Sequence, residues 1–125
     1  MAAYAFPKSA RVVRRSEYLE IREAGSSFAD GPLAASFRVR EPRPTRPGIP
    51  GAVARVGLTV SSRVGGAVQR NRIKRRLREA VRLELGALPA VEVVLVARAS
   101  AATASVDDFR QWLRRAAARM KKVAS

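Results

Sequence analysis

VGLTVSSRVGGAVQRNRIKRRLREAVR, residues 56–82, passes from an alternating apolar run, through a glycine-bearing turn, into a stretch crowded with cations. Val56, Leu58 and Val60, with Ala54 before them, recur at every second position. That is the period of a strand with one buried face, predicted over residues 52–60. Gly65 and Gly66 mark a turn over residues 61–67. From Ala67 the period changes. Ile73, Leu77, Ala80, Val81, Leu85 and Leu88 follow at intervals of four, three, one, four and three, which places them on one arc of a helix. Gly86 and Pro89 punctuate its end.

The other side of that helix is cationic. Residues 70–82 carry seven cations and one carboxylate, Glu79. A solvated helix face normally mixes signs and gains about 0.2–0.5 kcal/mol from each well-placed pair. Here Arg70, Lys74, Arg78 and Arg82 stand four apart and repel one another. A helix docked by one face and presenting such a ridge on the other makes sense when phosphates occupy the ridge.

Composition points the same way. Among 125 residues, 25 Lys and Arg stand against 10 Asp and Glu, a formal net charge of +15, and 47% apolar content is ordinary for a globular protein. So much self-repulsion disfavours a compact state unless a polyanion neutralises it. Nucleic acid is the first partner to expect and an anionic membrane surface the second. Cys and His are both absent, which excludes zinc fingers, thiol nucleophiles, disulfides and His general bases. No apolar run approaches the roughly 20 residues that span a bilayer. The N-terminal charges follow the apolar residues, the reverse of a signal peptide. A soluble, cytoplasmic protein is expected.

Working outward, residues 1–13 read as an irregular arm. Ser16 is placed to cap a short helix over residues 17–24, closed by Gly25 in a left-handed conformation. Residues 33–40 alternate, with Leu33, Ala35, Phe37 and Val39 inward and Arg38 and Arg40 outward. Residues 41–51 hold four prolines and two glycines, and are expected to form an extended hairpin connection between the two strands. Residues 91–98, VEVVLVAR, are the most β-branched run and the candidate central strand. Ser105 and Asp108 fit a capping box before a last helix, where Phe109, Trp112, Leu113, Ala116, Ala117 and Met120 share a face. Trp112 at that spacing is core rather than a base-stacking platform. The predicted order is α-β-β-α-β-α, with room for one more short strand, in a single α+β domain of residues 1–125. A basic helix set between strands is more at home among RNA binders than on a helix-turn-helix scaffold.

Residues 56–82 also resemble the protein subunit of bacterial ribonuclease P. That family has a strand ending near a Ser-Lys-Lys turn, a Gly-Asn-Ala-Val run and an Arg-Asn-Arg basic helix. Here Arg70-Asn71-Arg72 stands at that place, followed by Ile73-Lys74-Arg75. Arg14-Arg15-Ser16-Glu17-Tyr18 is similar to the opening of the family's first helix, VEVVLVAR to its later strand and SVDDF to the start of its last helix. The resemblance runs from about residue 8 to about residue 120.

The resemblance implies a ribosomal-protein-like α/β sandwich, with an unusual left-handed strand–helix–strand crossover around the basic helix. It implies an endoribonuclease that is a ribonucleoprotein, whose RNA subunit is the catalyst and holds Mg2+, and which cuts the 5′ leader from precursor tRNA. The protein, a monomer in a 1:1 complex with ribonuclease P RNA, would supply no catalytic group. Arg63, Arg70, Asn71, Arg72, Lys74, Arg75, Arg76, Arg78 and Arg82 are then the expected RNA-binding set. Arg11, Tyr18 and Arg38 are the expected leader-binding set, in a cleft between the first helix and the open face of the sheet. Departures from the family pattern stand at Ser62, where Lys is common, at Gly66, where Asn is usual, and at Arg22 and Ser36, where aromatics often lie. With fewer aromatics, the cleft is expected to rely more on charge. Tyr18 itself can be read as a stacking platform or as core.

Two other functions are compatible with the composition. An autonomous nuclease needs carboxylates converging on metal ions, or a general base. Glu17, Glu20 and Glu23 share helical spacing, but a solvated face explains them, and Asp107 and Asp108 suit a helix N-terminus. A structural RNA-binding protein of ribosomal type has no such requirement, and only the ordered motif set separates it from a ribonuclease P subunit.

Overall fold

The structure, a computed structural model, describes residues 15–39 and 54–124. The arm over residues 1–13, Arg11 within it, Arg40 and the proline-rich segment 41–51 lie outside the described residues. Along the chain run α1 (Arg15–Ala24), β1 (Ser26–Asp30), β2 (Leu33–Val39), β3 (Arg55–Thr59), α2 (Ala67–Glu84), β4 (Val91–Ala97) and α3 (Val106–Ala124). Short 3-10 turns precede α2, follow it and precede α3.

The four strands form one sheet in the order β1-β2-β4-β3. β1 is the extra short strand. It pairs antiparallel with β2 across a two-residue turn, in which Gly31 at φ 53 and Pro32 make a II′-type hairpin. β4 pairs antiparallel with β2 and parallel with β3. The expected hairpin between β2 and β3 is therefore absent, because β4 lies between them. The composition of β4 explains this: a strand buried at Val91, Val93, Val94, Leu95 and Ala97 needs cover on both faces and a neighbour on both edges. β3 and β4 are a parallel pair joined through the basic helix, a strand–helix–strand crossover of the kind that the resemblance implied.

Alternation sorts the faces. Leu33, Ala35 and Phe37 of β2, Val56 of β3 and Val91, Val93 and Leu95 of β4 meet α2 and α3 in the main core. α2 contributes Ile73, Leu77, Ala80 and Val81, and α3 contributes Phe109, Trp112, Leu113, Ala116, Ala117 and Met120. Leu85 and Leu88, expected on the same helical arc, are buried beyond the end of α2, in and just after the 3-10 turn Leu85–Ala87. Burying a side chain such as Leu77 or Leu113 in full contributes about 1.5–3 kcal/mol. Trp112 is core as expected. It stacks on Phe28 of β1 at 5.7 Å between centroids, and its Nε1 donates to the Asp30 carbonyl at 2.6 Å. The opposite face carries α1, whose Ile21 is fully buried against Val94, with Tyr18 and Val96 alongside.

Several local expectations change. α1 begins at Arg15, so Ser16 lies within the helix and does not cap it. Gly25 does not have a positive φ; positive values among the described glycines occur at Gly31 and Gly65. Gly25 is required for space instead: a Cβ there would meet the carbonyls of Phe37 and Ile21. Val39, expected inward, is 50% exposed at the end of β2. The capping box is present, with the Ser105 amide on Asp108 Oδ2 at 2.9 Å and the Asp108 amide on Ser105 Oγ at 3.0 Å. The Ser105 backbone amide first, and the Ser105 side chain second, hold the Asp108 carboxyl below its ordinary range.

Candidate nucleic-acid interface

The apolar arc of α2 faces the core, which turns its cations outward in two groups. Asn71, Arg72, Arg75 and Arg78 are exposed, as is Arg63 in the turn before the helix. None of Arg63, Arg72, Arg75 and Arg78 has a carboxylate partner among the described residues. Lys74, at the margin of the arc, is half-buried. These are the groups best placed to meet phosphates without breaking an interaction.

The remaining cations of the helix are partly buried. Arg70 sits in the first turn of α2, its amide on the Gly66 carbonyl at 2.9 Å, and its buried Nε makes no hydrogen bond. Arg76 donates through Nη1 to the carbonyls of Ala104 at 2.9 Å and Ala102 at 3.3 Å, tying α2 to the segment that leads into α3. Arg82 grips Glu79 through Nε at 3.0 Å and through Nη2, and those bonds hold the Glu79 carboxyl below its ordinary range. The sequence-predicted ridge is therefore real, but Arg76 and Arg82 are also structural.

On the opposite face, Tyr18 of α1 and Arg38 of β2 lie on the same side of the sheet. The Tyr18 ring is half-buried over Gly57, its hydroxyl 3.5 Å from the Leu58 carbonyl, and burial pushes its phenol up. Arg38 is not a free cation. Its Nε donates to Glu92 Oε1 at 3.1 Å, and its Nη1 lies 3.5 Å from Glu20 Oε2. Beside it, Arg55 donates from Nη1 to Glu92 Oε2 at 2.7 Å and from Nη2 to Glu17 Oε2 at 2.9 Å. Two arginines and three carboxylates thus form one network from α1 across β2, β4 and β3. Sequence reasoning missed Arg55 and Glu92. The signal was available: Glu92 is a lone acid inside the most apolar strand, and a buried carboxylate needs cations around it. Glu84 is the parallel case in α2. It is 6% exposed and accepts from Arg110 and Arg114 Nε at 3.0 Å each.

A basic helix lies exposed on one side of the sheet, and α1 with its ion network lies on the other, with β3 and β4 joined through α2. The family model for ribonuclease P matches residues 6–121. This chain belongs to that family.

Curated ribonuclease P protein components are similar over most of its length. That of Geobacter sp. (strain M21) is 36% identical over 111 residues, covering 89% of this chain and 85% of the relative. That of Xanthomonas campestris pv. campestris (strain B100) is 39% identical over 118 residues, covering 90% and 73%. The RNase P protein of Staphylococcus aureus superimposes with a TM-score of 0.70 at 24% identity, covering 93% of this chain and 98% of that one. The RNase P protein of Thermotoga maritima gives a TM-score of 0.70 at 24% identity, covering 87% and 96%. At that identity the structural likeness speaks for the fold, which is the ribonuclease P protein fold.

Proposed function

We propose that this chain works as the protein component of a ribonuclease P holoenzyme that removes the 5′ leader from precursor tRNA. Its α2 ridge seats on the ribonuclease P RNA, and its α1 face meets the single-stranded leader, in a 1:1 complex acting in the cytoplasm. The observation that carries this reading is the exposed row Arg72, Arg75 and Arg78, without carboxylate partners among the described residues, on a helix whose other face is core, in a chain whose family is ribonuclease P. Ribonuclease P RNA is the partner that family membership supplies, and precursor tRNA is the substrate we assign to the assembled enzyme.

Catalysis is assigned to the RNA. Hydrolysis of a phosphodiester needs a metal-bound or otherwise activated water, which Mg2+ supplies when bound. The protein's own acids do not fit that ion. Among the described residues no three acidic side chains gather as a metal site, and Glu17, Glu84 and Glu92 already accept from arginines. Mg2+ is therefore held mainly by the RNA on this reading, and the protein binds, orients and neutralises.

The test is reconstitution. Adding this protein to a bacterial ribonuclease P RNA at low magnesium should restore precursor-tRNA cleavage that the RNA alone performs poorly. Tight RNA binding with no gain in cleavage would favour a purely structural RNA-binding role.

A further inference from the structure

The network beneath α1 contains three carboxylates for two arginines, and the three are not equivalent. The Glu92 side chain is 12% exposed and gives one oxygen to each arginine, so it fixes both guanidinium planes at once. Removing a buried carboxylate of that kind takes the shared partner from two partly buried cations at once, which makes Glu92 a permanent partner. Glu17 holds the far edge of Arg55 from a side chain that is 23% exposed. Glu20 differs from both. Its side chain is 62% exposed, and it approaches the Nη1 of Arg38 only to 3.5 Å, well beyond the roughly 2.7–2.9 Å of a good charge-assisted hydrogen bond.

Arg38 therefore has one edge locked and one edge loosely held. The loosely held edge meets the exposed Glu20, and the Arg38 side chain, itself 32% exposed, shares its face of β2 with Ser36, whose Oγ lies 3.0 Å from Ser27 Oγ of β1. A phosphodiester offers two non-bridging oxygens to a guanidinium, much as a carboxylate does. The Glu20 carboxylate stands where such a group would bind.

We propose that Glu20 is a specificity-determining residue: its carboxylate occupies the outward edge of Arg38 in the free protein and gives way to a leader phosphodiester, while Glu92 is the positioning residue that keeps Arg38 in place. The proposal rests on the assignment of the α1 face to the leader. The exchange makes and breaks no covalent bond; one anion leaves and another enters. Its consequence is discrimination. Any single-stranded polyanion must displace Glu20, and a leader tethered by the rest of a bound precursor tRNA does so at high effective concentration, whereas untethered RNA does not.

The experiment uses the holoenzyme assembled from this chain and ribonuclease P RNA. It compares equilibrium binding of a precursor tRNA with a leader of several nucleotides and one with almost none. Glu20→Gln should tighten the long-leader substrate by about two- to fivefold, the equilibrium worth of an exposed ion pair, and leave the short-leader substrate unchanged. Glu92→Gln should act with the opposite sign, weakening the long-leader substrate selectively. A merely structural role for Glu20 predicts no tightening. Arg38→Gln separates the two levels of the argument. If it weakens the long-leader substrate while Glu20→Gln has no effect or weakens it too, the leader face stands and the exchange is wrong. Equal tightening of both substrates by Glu20→Gln also overturns it, because general loss of a negative charge would do that. If Arg38→Gln changes neither substrate, the leader assignment fails at this residue and the proposal falls with it.

Discussion

The ring of Tyr18 lies on Gly57: a Cβ added at Gly57 would fall 2.8 Å from the tyrosine Cζ and 2.8 Å from its hydroxyl. α1 is held to the sheet through this contact and through Ile21 on Val94. Gly57→Ala must push the ring outward, and should destabilise the protein by about 1–3 kcal/mol through overpacking. Thermal unfolding of Gly57→Ala alone and with Tyr18→Ala checks this: the second change should relieve much of the first.

Tyr18 is half-buried, packed on Gly57 and beside Val94, so packing accounts for one of the two readings that sequence left open. Tyr18→Ala should lower stability by about 1–2 kcal/mol, from apolar area alone. Tyr18→Phe should not, because a 3.5 Å hydroxyl contact to the Leu58 carbonyl contributes little. In the holoenzyme, Tyr18→Ala should weaken binding of a long-leader precursor by about 1–3 kcal/mol more than of a short-leader one, the worth of a stacked base. Equal loss for both would make Tyr18 core only.

Glu84 predicts a pH dependence. Burial by itself would raise its carboxyl, but the hydrogen bonds from Arg114 and Arg110 outweigh burial and hold it below its ordinary value of 4.5. A carboxyl depressed by folding contributes stability that is fully present above the unfolded value and is lost as the pH falls through the folded one. Glu84→Gln should therefore cost about 1–2 kcal/mol near neutrality. The gap between the two proteins, followed by denaturant unfolding, should close in acid below the ordinary carboxylate range. A gap that persists unchanged there would mean Glu84 acts through shape rather than charge.

Trp112 joins α3 to the β1–β2 hairpin by a stacked ring and a donated hydrogen bond. Trp112→Phe removes the Nε1 donor from the Asp30 carbonyl and part of the stack on Phe28. It should cost about 1–3 kcal/mol and loosen β1 first, seen as faster amide exchange over Ser26–Asp30 than over Val91–Ala97.

Much of this was legible in the chain because periodicity reports which face is buried. The arc of α2 up to Val81, the arc of α3, the alternation of β2 from Leu33 to Phe37 and the capping box at Ser105 and Asp108 appear where the spacing placed them. What was not legible depends on pairing at a distance. The short β1, with its Ser-Ser start and single Phe28, has no periodic signal of its own and is fixed by β2 and Trp112. The position of β4 between β2 and β3 is a choice of neighbours, which local pattern does not encode, and so the hairpin expectation failed. The requirement for glycine at residue 25 comes from the carbonyl of Phe37, twelve residues away in sequence. The ion network was hidden for the same reason: Glu17, Glu20, Arg38, Arg55 and Glu92 meet only once three strands and a helix are assembled.

The central claim is that the outward row of α2 binds the ribonuclease P RNA through its phosphates. The most direct measurement is the affinity of the protein for that RNA as a function of salt, for the native chain and for Arg72→Gln combined with Arg75→Gln. Both side chains are exposed and have no carboxylate partner among the described residues, so the fold should be unaffected. Loss of two phosphate contacts should weaken binding and reduce the log–log salt slope by about one to two units. An unchanged affinity and an unchanged slope would contradict the claim and place the RNA on another face of the molecule.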